Sequence, residues 1–147
     1  MSLPRKADFR FSHSLRVRWA EVDPQGIVFN GNYLTYADVG ITEYFRALRV
    51  AYPEALTEGG CDFYAIKTTL EYKAPAHFDR LLDVAIRVAR LGRSSLTFEM
   101  TIWDGETLLT IGEIVYVHAR SEPRSSAPLP DWLRERIREF EISAPQE

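Results

Sequence analysis

Asp23 is the residue whose type and place in the chain bear most directly on chemistry. It lies in the loop Glu21-Val22-Asp23-Pro24-Gln25-Gly26-Ile27-Val28-Phe29-Asn30-Gly31-Asn32, whose Pro, Gly and Asn residues break regular structure. An apolar repeat of helical period starts about seven residues further on. The first-turn N–H groups of a helix have no partner inside it and carry partial positive charge. An oxygen that gains negative charge during acyl transfer would be stabilised there. A carboxylate facing that spot could act as nucleophile, or as general base for water. The same residues also have a plain structural use, because Asp23-Pro24 reads equally as an Asx turn or a cap.

A second group is Arg90-Leu91-Gly92-Arg93-Ser94-Ser95. Its arginines, glycine and hydroxyls could hold a phosphate, or form an ordinary polar turn. His13, His77 and His118 show neither HxxxH nor HxH spacing, so no metal site is expected. They read as structural or surface residues, although the strand-end place of His118 leaves it open as a partner for Asp23 or Cys61. Cys61 is the only cysteine, which excludes an intramolecular disulfide, and it reads as a buried or loop thiol. The chain holds no GxSxG elbow, no GxxxxGK loop and no GxGxxG.

The elements that must position these groups follow from periodicity. Leu15, Val17 and Trp19 alternate with arginines and predict a half-buried strand. From Tyr33 to about Val50, apolar residues recur at helical steps, with Asn30, Gly31 or Asn32 as the cap. The polar stripe of this helix is narrow, so it must be covered on most of its circumference, as a curved sheet would do. Four alternating runs follow: Tyr64–Tyr72, Leu82–Val88, Leu96–Ile102 and Leu108–Ala119. Asp104-Gly105 predicts a type I′ hairpin. The last run is apolar on both faces in its second half and belongs inside the sheet. Pro123, Pro128 and Pro130 mark a linker to a short amphipathic helix from Asp131 to about Ile142. The expected architecture is α+β, an antiparallel sheet of about five strands wrapped on one long central helix, plus a short C-terminal helix.

The length of 147 residues predicts a single domain, with its core at about residues 12–120 and a linker and helix at 121–147. Apolar residues make up 46% and charged residues 27%, which excludes wholesale disorder and collagen-like or coiled-coil composition. A net charge of −3 argues against a broad nucleic-acid-binding face. No apolar run is long enough for a signal peptide or a membrane span, so a soluble, cytoplasmic protein is the expectation.

The run Val17-Arg18-Trp19-Ala20-Glu21-Val22-Asp23-Pro24-Gln25-Gly26-Ile27-Val28-Phe29-Asn30-Gly31-Asn32-Tyr33-Leu34 resembles the signature of the 4-hydroxybenzoyl-CoA thioesterase-like branch of the hotdog-fold acyl-CoA thioesterases. The likeness extends to Tyr72-x-x-Pro75-Ala76-x-x-x-Arg80 and to Gly92-Arg93-Ser94-Ser95, and covers about residues 12–120. The resemblance implies a hotdog fold and hydrolysis of an acyl-CoA thioester. It implies Asp23 as the catalytic carboxylate and the backbone N–H at Asn30 as the group that polarises the thioester carbonyl. It implies Gly26, Ile27, Val28, Phe29, Gly31 and Tyr33 as substrate-binding residues, with Gly92, Arg93 and Ser94 at the CoA phosphates. How Phe29, Tyr33, Tyr36, Phe63 and Tyr64 pack would set the size of the pocket. The basic cluster of the relatives is thinner here, which keeps an acyl-carrier-protein thioester open as substrate. The resemblance implies no metal or redox cofactor, CoA being part of the substrate. It implies a site completed by a second copy of the chain in a dimer or tetramer. Two other readings stay in view: a hotdog dehydratase, which would need a histidine that the loop lacks, and a non-catalytic acyl-thioester-binding module.

Overall fold

The computed structural model describes residues 2–147. Strand β1 (Phe11–Arg16) leads into the loop that carries Asp23, and helix α1 (Asn32–Ala47) follows. Four long strands come next: β2 (Cys61–Tyr72), β3 (Leu81–Leu91), β4 (Ser95–Asp104) and β5 (Thr107–Ser121). A short strand β6 (Arg124–Ser126) and helix α2 (Asp131–Phe140) close the chain. The sheet order is β1-β3-β4-β5-β2, all neighbours antiparallel, with β6 paired to the end of β5. β5 is thus inside the sheet, as its two apolar faces predict. β6 falls in the stretch expected to be linker. Its residues are exposed, and three residues carry no readable alternation of apolar and polar side chains.

The α1 helix buries Tyr33, Tyr36, Ala37, Gly40, Ile41, Tyr44 and Phe45 against the concave face of the sheet. Gly40 permits the closest approach. A Cβ there would lie 2.8 Å from Val84 Cγ1 and 3.0 Å from Ile86 Cγ1. The core between the layers includes Leu82, Ile86, Phe98, Met100 and Ile102, all essentially inaccessible. Leu34 and Val39 on the far side of α1 stay exposed. One chain therefore does not provide the nearly complete covering that the narrow polar stripe demands.

Three local expectations need correction. The first strand ends at Arg16, because Trp19–Glu21 forms a 3₁₀ turn. There the Glu21 carboxylate accepts from the Arg18 N–H (2.7 Å) and Nε (3.0 Å). Gly31, one of the three cap candidates, holds the N-cap position of α1, and the Asn32 amide donates to the Glu21 carbonyl (3.0 Å). The helix stops at Ala47 because Arg49 adopts a left-handed conformation (φ 60°). The Arg49 N–H then bonds the Arg46 carbonyl, and the Val50 N–H bonds the Phe45 carbonyl, which is a Schellman closure. The β4–β5 turn is centred on Gly105-Glu106, with Asp104 paired to Thr107. Positive φ occurs at Gly105 (60°) and not at Glu106, so a type II′ turn replaces the expected I′.

The α2 helix packs Leu133 and Ile137 into the core, with Trp132 and Phe140 at its margin. Directly after it, Glu141 is buried. Its Oε2 accepts from the Tyr44 hydroxyl (2.6 Å) and from the Val88 N–H (2.8 Å), at a bulge in β3. Burial raises the Glu141 carboxyl above the usual range, although these hydrogen bonds oppose it. It also raises the Tyr44 hydroxyl, with the Glu141 charge and hydrogen bond acting the same way. Among the described residues no helix is long and apolar enough to cross a membrane.

Candidate active site

The loop before α1 is a miniature hairpin. Val22 and Val28 form an antiparallel bridge, and Ile27 bridges His77. The Asp23 N–H donates to the Ile27 carbonyl (2.9 Å), and the Gly26 N–H donates back to the Asp23 carbonyl (2.9 Å). Gly26 sits at φ 80°, a conformation that L side chains adopt at a cost of about 1–2 kcal/mol. The Asp23 side chain does form the Asx contact anticipated for it, with Oδ1 accepting from the Gln25 N–H (2.8 Å). Its Oδ2 has no hydrogen-bond partner among the described residues, so one carboxylate oxygen is uncommitted.

Asp23 lines a cavity of about 350 Å³ together with Gln25, Ile27, Val28, Asn30, Tyr33 and the segment Tyr72–Pro75. Asn30 is exposed, and its backbone N–H meets no acceptor among the described residues, nor does that of Gly31. The Tyr72 hydroxyl donates to the Asn30 carbonyl (3.1 Å). This bond ties the end of β2 to the loop and leaves the N–H side of the turn as its open face. Tyr33 packs edge-on against Tyr72 with ring centroids 5.3 Å apart. The Tyr33 hydroxyl accepts from the Ala76 N–H (3.0 Å). Lys73 adds one cation to the wall and pairs with Glu71 at 3.1 Å.

Glu21 is what holds this loop in place, and it was missed by the reading of the sequence. Besides the Arg18 contacts, its carboxylate accepts from the Tyr36 hydroxyl (2.8 Å), one helical turn into α1. Its carbonyl accepts from the Phe29 N–H (2.9 Å) and from the Asn32 side chain. Burial works against its charge, but hydrogen bonds from the Arg18 N–H, the Tyr36 hydroxyl and the Arg18 side chain hold its carboxyl below the usual range. The readable signal was Arg18-x-x-Glu21, a reciprocal cap of the kind that starts helices.

Of the other residues singled out, Ile27, Val28 and Tyr33 line the cavity. Gly26, Phe29 and Gly31 are not part of its wall. The Phe29 ring is about half exposed and folds over Gly31 at 3.0 Å from where a Cβ would be. Gly31 lines a neighbouring groove with Leu34, Asp38, Ala65 and Tyr116. Phe63, proposed as setting pocket size, lies in a separate crevice with Phe45, Tyr52 and Phe98. Tyr36 and Tyr64 line neither this crevice nor the Asp23 cavity. Gly92, Arg93 and Ser94 lie apart from the Asp23 cavity, in the β3–β4 turn. There the Gly92 N–H donates to the Ser95 carbonyl (2.8 Å). The carbonyls of Arg93 and Ser94 accept from the N–H groups of Leu129 (2.8 Å) and His118 (2.7 Å). Arg134 of α2 donates to the Gly92 carbonyl and to the Arg93 carbonyl. His118 is buried, tilted against Phe63, with Nδ1 at 3.0 Å from the Pro128 carbonyl, so it partners neither Asp23 nor Cys61. Cys61 is a buried free thiol. Among the described residues no group of three His, Cys, Asp or Glu side chains is placed to hold a metal ion.

The profile of the thioesterase superfamily matches residues 25–111, more than half of the chain. This chain belongs to the thioesterase superfamily. The thioesterase is 30% identical to the acyl-CoA thioester hydrolase YbgC of Escherichia coli over 108 residues, covering 73% of this chain and 80% of that one. It is 31% identical to a thioesterase from Thermus thermophilus, whose crystal structure holds coenzyme A and Zn. That likeness covers 92% of this chain and 97% of the other, with a TM-score of 0.78. A thioesterase-superfamily structure from Jannaschia sp. CCS1 superimposes with a TM-score of 0.84 over 97% of this chain and all of that one, at 22% identity. The thioesterase thus has the hotdog fold: an open antiparallel sheet wrapped on one long helix, with a short helix at the C-terminus.

Proposed function

We propose that this chain hydrolyses an acyl-CoA thioester to the free acid and CoA, with Asp23 as the catalytic carboxylate. One observation carries the reading: Asp23, with its Oδ2 uncommitted, and Asn30, with its backbone N–H unpaired, line one cavity at the N-terminal end of α1. A thioester carbonyl docks on the Asn30 N–H, where the helix end favours the negative charge that develops on its oxygen. Asp23 then attacks the carbonyl carbon to give a mixed anhydride, which water hydrolyses, or it draws a proton from a water that attacks directly. In either course the C–S bond breaks, CoA leaves as thiolate and takes up a proton, and the acid departs. Water, the substrate and groups of the chain suffice for these steps. The names of the relatives support acyl-CoA as substrate, and Gly92, Arg93 and Ser94 are the proposed contact for its phosphates. The thinner basic cluster there keeps an acyl-carrier-protein thioester as the second substrate class.

A second copy of the chain completes the site. The β2 strand is an edge strand, exposed along most of its length. It borders the groove that contains Gly31, Leu34, Ala65 and Thr68. An apolar groove beside an unpaired strand edge is the surface that a like strand can extend.

The test is a panel of acyl-CoA thioesters with the released thiol followed by a thiol reagent. Wild-type protein should release thiol, and Asp23→Asn should lower kcat by roughly two to four powers of ten with an unchanged circular dichroism spectrum. Unaltered turnover by the variant would falsify the assignment. Thermal stabilisation by a thioester without thiol release would show a binding module instead.

A further inference from the structure

At the opposite end of α1 from Asp23, three arginines from three elements surround a hollow of about 370 Å³. Arg10 comes from the segment before β1, Arg49 from the residue beyond the α1 cap, and Arg136 from α2. Leu48, Ala47 and Phe140 provide its apolar surface, and Glu139 also lines it. None of the three guanidiniums has a carboxylate within 4.0 Å among the described residues, although Glu139 borders the same hollow.

Part of this charge has a structural use. Arg10 donates to the Phe140 carbonyl (3.0 Å) at the C-terminal end of α2 and lies over the Phe140 ring at 4.6 Å. Arg136 donates to the Arg49 carbonyl (2.9 Å) just past the end of α1 and lies over the Trp132 ring at 5.0 Å. Each guanidinium has five N–H groups in a rigid fork, so most of its donors stay open. Two helix ends at about half a negative charge each, plus Glu139, offset about two of the three positive charges. The side chain of Arg49 bonds no carbonyl among the described residues. It also occupies a position where glycine fits best, at φ 60° in the Schellman closure of α1. Strain of this kind points to a use for the side chain that bears it.

We propose that this hollow is a second ligand site, separate from the Asp23 cavity, that binds a small phosphate-bearing anion. Guanidinium forks from three directions match the several oxygens of a phosphate or diphosphate. The Ala47 and Phe140 surface suits an apolar or aromatic group attached to it. Free diphosphate and a nucleotide share this chemistry.

Titration calorimetry and thermal unfolding with inorganic pyrophosphate and with ADP test the proposal. Pyrophosphate should raise the Tm of the wild-type protein, and tighter binding of ADP would assign the apolar surface to a nucleoside. Arg49→Gly removes the charge and relieves the strained backbone, so the variant folds. It should bind pyrophosphate at least tenfold more weakly and keep its thioester hydrolysis. Arg10→Gln should weaken binding similarly. Arg93→Ala should keep the binding that Arg49→Gly removes, because Arg93 lies in the β3–β4 turn, away from this hollow. Absence of any pyrophosphate binding to wild-type protein would overturn the proposal. So would binding that survives Arg49→Gly and is lost in Arg93→Ala.

Discussion

Asp23 and Glu21 are two residues apart and do opposite work. Asp23 keeps one oxygen uncommitted beside the cavity, whereas Glu21 spends its carboxylate on Arg18 and Tyr36. The position of Asp23 before a helix was legible because helix starts have a chemistry of their own. The role of Glu21 was not, because its partner Tyr36 is fifteen residues away and meets it only once the loop folds back on α1. The Glu21 carboxyl is held below its ordinary value near 4.5, so the folded state binds its proton less readily than the unfolded chain. Its contribution to stability is complete above that value and is lost as pH falls below it. Glu21→Gln should therefore lower stability at neutral pH and flatten the acid limb of stability against pH. Urea titrations at roughly pH 3 to 6 check this. An acid limb as steep as that of the wild type would place the titration elsewhere.

Among the elements, α1 was readable nearly to the residue, because its apolar repeat is long and unbroken. Its C-terminal end was not, since it closes on an arginine in place of glycine. The attachment of α2 was half legible. Leu133 and Ile137 show as an apolar stripe, but Glu141, directly beyond it, is a charged residue type whose burial depends on Tyr44 and Val88 far away in sequence. These contacts separate two substitutions. Glu141→Ala strands a buried hydroxyl and a buried N–H, at a cost of about 1–3 kcal/mol for each. Glu141→Gln keeps an acceptor for both and removes the buried charge, so it should be close to neutral or stabilising at neutral pH. Chemical denaturation of the pair measures the difference. Equal loss in both variants would show that the charge itself is needed.

For the whole molecule, the order of elements and the sheet around α1 followed from alternation, helical period and turn residues. Patterning could not separate a surface facing water from one awaiting a second copy, because both lie outside the core of one chain. Ile66 marks the difference. It is the extra residue at a bulge in β2, unpaired in the ladder and 63% exposed. A charge at such an edge opposes association. On the proposed pairing of two copies, Ile66→Asp should shift the protein toward monomer in sedimentation equilibrium and lower kcat/KM with it. A wild-type protein that is monomeric at working concentration would count against a shared site.

The β3–β4 turn has one more consequence. Its three carbonyls at Gly92, Arg93 and Ser94 all accept hydrogen bonds from Arg134, Leu129 and His118. The N–H groups of Arg93 and Ser94 have no acceptor among the described residues. The peptide dipoles of the turn are thus anchored by their negative ends and turn their positive ends away from those anchors. Open N–H groups of this kind favour an anion through the backbone itself, whatever side chain stands at each position. In the proposed contact with the CoA phosphates, affinity should therefore depend as much on α2 holding the turn from behind as on Arg93 in front.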